Sequence, residues 1–425
     1  MASTNDKARK ALQTLATFQE LESLMFQIRN KELESVDFNL FPIDKLISDE
    51  GVGKRLQFLE ANPGKKLPVL SGRAPFNNLD ALEGNIENYV GMSMVPTGVI
   101  GPLRIIGSSA QGDFFVPLAT TEGALVASYH RGAKACLRAG GVTSICLIEG
   151  VQRSPVFKFL NIADLGKFMI WVSEQMEVFE KITSSVSRYA TLEDFRPNIE
   201  GNHLILVFEY HTGDAAGQNM VTFCTEEICK YILENTPIKP VFWFIEGNYS
   251  GDKKANAQAF NTVRGKKVTA EILISEEIVN STLKTSPEMI AEYWRTSTIG
   301  SIQSGAIGAQ GHYANGLTAL FIATGQDVAC ISEASVGITR LEMTKEGDLY
   351  ACVTLPNLIV GTVGGGTGLP TQRECLELMD CYGEGKARKF AEICAALVLA
   401  GEISIAAALS AGHFSAAHKK FGRKK

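Results

Sequence analysis

The chain has 425 residues, more than one hydrophobic core usually serves, so two domains or one large domain carrying an insertion is the expectation. Hydrophobic residues make up 45% and charged residues 20%, with a net charge of -5, which excludes disordered and fibrous classes and any broad nucleic-acid-binding surface. Nine cysteines, with no Cys-x-x-Cys pair and no matching histidine spacing, argue against a disulfide framework and a zinc site and point to a reducing compartment.

Residues 1–30 place Leu12, Leu15, Phe18, Leu21, Met25 and Ile28 at helical spacing among charges, which predicts an amphipathic helix and not a signal peptide. Up to about Gly84 short helical patterns alternate with turn signals such as Asn62-Pro63-Gly64, a helical lead-in without obvious chemistry. From Glu87 glycine and proline punctuate short apolar runs. Thr120-Thr121-Glu122-Gly123 precedes a helical run over 124–139 that Gly140-Gly141 stops, with Thr120 or Thr121 as its cap. Glu122 then stands at a helix start, either as part of the cap or as an acid. Between 155 and 245, strand-like runs at 156–160 and 204–208 surround helical patterns at 165–186 and 219–233, a compact α/β insert.

Within that insert Gly213-Asp214-Ala215-Ala216-Gly217-Gln218-Asn219-Met220 opens a helix and could cradle a phosphate. Gly247-Asn248-Tyr249-Ser250-Gly251-Asp252-Lys253-Lys254 would present two ammonium groups from one loop, which suits an anionic substrate or else a solvated turn. Gly325-Gln326-Asp327 follows the apolar run 317–324, so Asp327 is expected at the end of a buried helix, as a cap or as a functional acid. The glycine run around Val363, Gly364 and Gly365 reads as strand, glycine turn and helix start, able to offer backbone amides to a phosphate, but it lacks Rossmann spacing. The apolar stretch 393–411 is broken by Gly401, Glu402, Ser404 and Ser410, which predicts a buried core helix and no membrane span. His413 and His418 follow it, ahead of a short basic tail in which a mobile histidine could reach a site.

Seven of these segments occur in one order: Glu87-Asn88-Tyr89-Val90-Gly91, Thr120 to Gly123, Gly213 to Met220, Asp252-Lys253-Lys254, Gly325-Gln326-Asp327, Gly361-Thr362-Val363-Gly364-Gly365-Gly366-Thr367, and Gly412-His413 with His418. From Glu87 onward the chain therefore resembles the hydroxymethylglutaryl-coenzyme A (HMG-CoA) reductase family, and its Thr-Thr-Glu-Gly and Asp-Lys-Lys motifs look like the NADPH-preferring class I branch of eukaryotes and most archaea. The resemblance implies an α+β fold: a helical segment over 1–84, a large mixed domain over 85–154 and 246–425, and a ferredoxin-like small domain for NADP over 155–245. It implies reduction of HMG-CoA by two NADPH to mevalonate and coenzyme A, in isoprenoid biosynthesis. It also implies a cytoplasmic homodimer or dimer of dimers, with the site at the subunit interface and no membrane or nucleic-acid partner.

The roles it implies fall on named residues. Lys253 polarises the thioester carbonyl, Asp327 sits between Lys253 and Glu122, orienting the first and raising the pKa of the second by like-charge repulsion, Glu122 donates a proton, and His418 protonates the coenzyme A thiolate. Arg153, Asp252, Lys254, Arg295 and Asn315 contact the hydroxymethylglutaryl group, with Arg131 and His312 near coenzyme A. Ser187, Arg188, Tyr189, Asp214 and Asn219 belong to the cofactor region together with Val363, Gly364 and Gly365, and Arg188 suits a 2'-phosphate. No metal is implied. Four positions depart from the family pattern: Glu246 replaces a serine and Arg295 a lysine, His130 replaces an asparagine, and Lys424 stands where a regulatory serine is found in animals and plants. The departures at 246 and 295 leave room for a related acyl-coenzyme A reductase with a shifted substrate.

Overall fold

The computed structural model describes residues 41–42 and 47–412. The amphipathic helix expected over 1–30, together with His413, His418 and Lys424, lies outside the described residues. Helix α1 (Asp49–Ala61) starts where the Ser48 side chain accepts from the Gly51 amide and Asp49 and Glu50 sit in the first turn, a favourable end for negative charge. Its Leu59 packs with Phe41, Leu67, Phe115 and Leu378.

Strands β1 (Thr97–Gly107) and β2 (Gln111–Ala119) form an antiparallel hairpin, and helix α2 (Leu125–Arg138) leads to β3 (Val142–Arg153). The expected cap of α2 is corrected here. Its N-cap is Ala124 with left-handed backbone and no side-chain cap, while the Thr120 hydroxyl accepts from the Glu122 amide one turn earlier.

The chain then runs through β4 (Val156–Lys158), α3 (Ile162–Ser173), α4 (Met176–Val186), β5 (Thr191–Glu200), β6 (His203–His211), α5 (Gln218–Asn235) and β7 (Phe242–Phe244). The single helical pattern read over 165–186 is thus two helices, separated at Glu174 and Gln175, and β5 went unread because Pro197 and its charged residues mask a half-buried edge strand. These strands lie in the order β7-β4-β6-β5 with every neighbouring pair antiparallel, around a separate core of Phe157, Phe168, Phe179, Leu206, Phe208 and Ile228.

The remainder comprises β8 (Gly265–Ile274), α6 (Pro287–Ser304), α7 (Tyr313–Thr324), β9 (Ile338–Met343), β10 (Leu349–Leu358), α8 (Pro370–Leu378) and α9 (Ala387–Ser410). The large sheet runs β2-β1-β3-β8-β10-β9. One strand joins the two sheets: β3 pairs with β8 as far as Gly150, and its last three residues, Val151, Gln152 and Arg153, pair with β6. Helix α9 lies against this sheet and against α2, α6 and α7. Its 24 residues are long and apolar enough to cross a membrane, but they are mostly buried within the protein, as the sequence led one to expect of a core helix. Leu397, Val398, Leu399 and Ile403 are fully buried there, each worth about 1.5–3 kcal/mol of transfer free energy.

Candidate active site

The loop between β7 and β8 is the centre of a charged cluster. Lys253 has left-handed backbone (φ 55°), and its amide donates to Glu333 Oε1 at 3.0 Å. Its ammonium reaches Asp327 Oδ2 at 2.8 Å, while Asp327 Oδ1 accepts from the Ala329 amide at 3.0 Å. Asp327 and Glu333 flank the same short helical turn, so one segment fixes the backbone and the side chain of Lys253 together. The hydrogen bond that Lys253 donates to Asp327 holds its pKa above the ordinary value of 10.5 against the opposing effect of burial. Both side chains remain about 40% exposed, so Asp327 follows a buried helix, as the sequence implies, without being enclosed itself. Helix α7 ends two residues earlier at Gly325, which turns the chain outward.

Behind Lys253 the charges are buried. Arg264, fully enclosed, donates to Glu333 and, at 2.5 Å, to Asp252 Oδ1. Burial pushes the Glu333 carboxyl up, with Arg264 opposing. Arg153, at the end of β3, meets Glu246 Oε2 at 3.3 Å and Asp252 Oδ2 at 3.5 Å, and donates to the Gln218 carbonyl at the start of α5 at 3.2 Å. The Lys254 ammonium folds back on the Asp252 carbonyl at 2.6 Å.

A second cluster lies at the other end of α7. Glu122 Oε2 accepts from Asn315 Nδ2 at 2.9 Å. Next to it His312 stacks on Tyr129, with ring centroids 5.1 Å apart, and the Tyr129 hydroxyl donates to the His312 carbonyl at 3.1 Å. The buried Glu402 of α9 accepts from the amides of Gly311 and His312, both at 2.7 Å, from Thr339 Oγ1 at 2.7 Å, and lies 3.1 Å from His312 Nδ1. Burial alone would raise its pKa, but the bonds from His312 and Thr339 outweigh it and hold the carboxylate below its usual range. Arg131 grips Ser404 of α9 through the hydroxyl at 2.9 Å and the carbonyl at 2.6 Å. Arg295 is exposed on α6 and pairs with Glu292 on the same helix.

The glycine-rich motifs meet in a third place. Gly361 exchanges backbone hydrogen bonds with the Gln326 side chain, at 2.8 Å from its amide and 3.0 Å to its carbonyl, and the Thr362 amide donates to the Asp214 carbonyl at 2.9 Å. A Cβ on Gly325 (φ 68°) would stand 2.2 Å from the Gly366 carbonyl oxygen, so only glycine allows these loops to touch. Around this junction Gly364 and Gly365 are exposed with open space above their Cα atoms, and the first turn of the 18-residue α5, carrying exposed Asn219, has no side-chain cap. Exposed Arg188 lies over the Tyr189 ring at 4.6 Å, and the Tyr189 hydroxyl donates to Glu384 at 3.4 Å. Ser187 Oγ accepts from the amides of Tyr189 and Ala190. Asp214 faces elsewhere, its carboxylate taking the amides of Gly385 (2.7 Å) and Ala387 (2.9 Å) at the start of α9.

The family model for hydroxymethylglutaryl-coenzyme A reductase matches residues 51–423. The chain belongs to the HMG-CoA reductase family. It is 48% identical over 414 residues to the 3-hydroxy-3-methylglutaryl-coenzyme A reductase of Pyrococcus abyssi, covering 95% of this chain and 100% of that one. The reductase of Methanocaldococcus jannaschii is 44% identical over 348 residues, 81% of this chain and 86% of its own. Reductase 2 of Dictyostelium discoideum is 39% identical over 360 residues, 82% of this chain and 68% of its own. Among solved structures, the class II 3-hydroxy-3-methylglutaryl-CoA reductase from Streptococcus pneumoniae, bound to NADPH in open conformations, aligns with a TM-score of 0.68 at 20% identity, over 84% of this chain and 96% of that one. That likeness concerns the reductase fold.

Within the reductase chain the expected residues fall into separate groups. Lys253, Asp327, Asp252, Arg153 and Lys254 come together. Glu122 is held by Asn315 instead of by Asp327, and His312 and Arg131 share the α9 face near Glu402 and Ser404. Asn315 stands near the start of α7 and Asp327 beyond its end, and a 12-residue helix is about 18 Å long. Sequence reasoning missed Arg264, Glu333 and Tyr129, and treated Glu402 only as an interruption of an apolar run.

Proposed function

We infer that the chain reduces 3-hydroxy-3-methylglutaryl-coenzyme A to mevalonate, releasing coenzyme A. The observation that carries this reading is the Lys253 and Asp327 pair on a charged loop, in a chain of this family. An ammonium kept protonated and fixed at both backbone and side chain is a preorganised partner for a thioester carbonyl oxygen as it gains negative charge. NADPH, when bound, supplies the hydride for each of the two reduction steps. In this reading Glu122 serves as proton donor to the carbonyl oxygen, and His418 as the acid that protonates the departing thiolate.

For the acid end of the substrate we propose Arg153 and Lys254, with Asp252 accepting the 3-hydroxyl, and Asn315 and Arg295 completing the pocket. Arg131 and His312 face coenzyme A. The exposed Gly364 and Gly365 backbone, Asn219 on the uncapped start of α5, and the Ser187-Arg188-Tyr189 corner fit a nucleotide phosphate, with Val363 beside them. Asp214 serves this region by holding the loop to α9 and not by touching the cofactor. The preference for NADPH and the class I branch are supported by exposed Arg188 and by the eukaryotic and archaeal relatives at 39–48% identity. The unit from β4 to β7, within bounds of 155–245, is our candidate for the cofactor domain.

We further propose that two copies share each site. Glu122 and Asn315 lie at one end of α7 and Lys253 and Asp327 at the other, so a second subunit's Glu122 can approach Lys253. Val90 and Met94, 99% and 95% exposed, and Ile299 and Ile302 on α6 supply apolar surface for that contact. The buried α9 accords with a cytoplasmic enzyme.

The test is NADPH oxidation with HMG-CoA, using Lys253→Ala as control. Two NADPH oxidised per coenzyme A released, with turnover in the variant lowered by at least about a thousand-fold, supports the reading. A variant that keeps turnover within ten-fold of the parent removes Lys253 from the chemistry.

A further inference from the structure

Arg153 faces the loop over 247–254 with its side chain nine-tenths buried, and it is already occupied. Glu246 directs a single oxygen, Oε2, at Arg153 (3.3 Å), at the Ser154 amide (3.3 Å) and at the Ser250 hydroxyl (3.1 Å). The contact is loose. An Arg–carboxylate pair in its preferred two-pronged form closes to about 2.7–2.9 Å through both oxygens. Among the described residues Glu246 Oε1 and Arg153 Nε are both buried and without a partner, as are Glu333 Oε2 and Arg264 Nε in the neighbouring pair.

The charge balance points the same way. Arg153, Arg264, Lys253 and Lys254 face four carboxylates, Glu246, Asp252, Glu333 and Asp327. An incoming carboxylate finds no surplus positive charge while Glu246 stays in place. Of the four acids, Glu246 is the one free to leave. Asp252 is fixed by buried Arg264, Glu333 by Arg264 and the Lys253 amide, and Asp327 by Lys253 and the Ala329 amide. Among the described residues Glu246 has only its bonds to Arg153, Ser154 and Ser250, all longer than 3.0 Å and all through one oxygen.

We propose that Glu246 is a built-in competitor of the substrate's terminal carboxylate: it occupies Arg153 in the free enzyme and must be displaced for that acid to bind. The proposal rests on the assignment of Arg153 to the acid end of HMG-CoA. Glu246 thereby weakens the hold on an acidic acyl group and sets the discrimination between an acid and a neutral ester of the same shape.

The experiment compares the parent with Glu246→Ser and Glu246→Gln on HMG-CoA and on its methyl ester at the terminal acid, with calorimetric binding of both thioesters alongside turnover. Removing one negative charge beside Arg153 is expected to lower KM and Kd for the acid by about ten-fold or more in both variants, and to leave the values for the ester within about two-fold. An acid Kd that rises or stays put in both folded variants, or acid and ester moving together, overturns the proposal. The binding arm keeps the two readings apart. No turnover of HMG-CoA by the parent removes the assigned reaction, whereas turnover with an unmoved acid affinity removes only the competitor.

Discussion

Replacing Arg264 by methionine keeps the length of the side chain and removes its charge. In the native protein Arg264 and Glu333 are each about 1% exposed, and Arg264 also holds Asp252. The variant leaves Glu333 buried with only the Lys253 amide as a donor, and takes from Asp252 its nearest cation. Breaking a buried ion pair by removing one partner typically costs about 3–5 kcal/mol, because the remaining charge has lost its compensation. The second variant, Arg264→Met with Glu333→Gln, removes the stranded charge and keeps an oxygen for the Lys253 amide. It should recover more than half of the loss, as replacement of both partners by neutral groups is close to neutral. Urea unfolding of parent and variants at one fixed protein concentration measures both. A single variant within about 1 kcal/mol of the parent, or a double variant no better than the single, would refute the view that Arg264 acts chiefly by balancing Glu333.

Asp327→Asn should move the alkaline limb of the activity profile to lower pH. The Lys253 pKa is raised above 10.5 by Asp327, so the pair's contribution is fully present below 10.5 and is lost as pH rises through the folded value. An unmoved limb would mean that Asp327 does not hold the ammonium. Gly325→Ala should cost about 2 kcal/mol or more, from a left-handed alanine and the contact with Gly366, and should raise the KM for NADPH. Gly72→Ala is the comparison, left-handed with open space around it, and should cost only about 1 kcal/mol. Equal losses in urea unfolding would show that the Gly325 and Gly366 contact carries no weight.

Much of the site could be read in the sequence because its parts are local. Turn-forming residues around Asp252-Lys253-Lys254 and the glycine run through Gly366 announce loops whatever surrounds them. The partners of those loops could not be read. Arg264 meets Glu333 across 69 residues and Glu122 meets Asn315 across 193, and no local pattern encodes either pairing. Asp327 stands just past a buried helix, as the apolar run before it implies, but its exposure could not be read, because it depends on left-handed Gly325 ending α7 and turning the chain outward. Glu246 drew notice as a departure from the family pattern, and only the coordinates show that it faces Arg153 and does not turn away. The elements followed the same rule. Helix α5 and the core strand β6 were visible from their apolar spacing, whereas β5, with one face at the edge and Pro197 within it, lacks the alternation that marks a strand.

The strand shared between the two sheets has a consequence for synthesis. The polypeptide emerges from the ribosome with β3 complete at Arg153, yet the antiparallel neighbour of its first part, β8, does not begin until Gly265. The small unit is finished at β7, by Phe244, and its core draws only on residues already made. It can therefore close first, and β6 then pins the end of β3 through the ladder from Val151 to Arg153. The large sheet is left to grow from a strand already held by β1 at its start and by β6 at its end, which shortens the search that its long-range pairings would otherwise require.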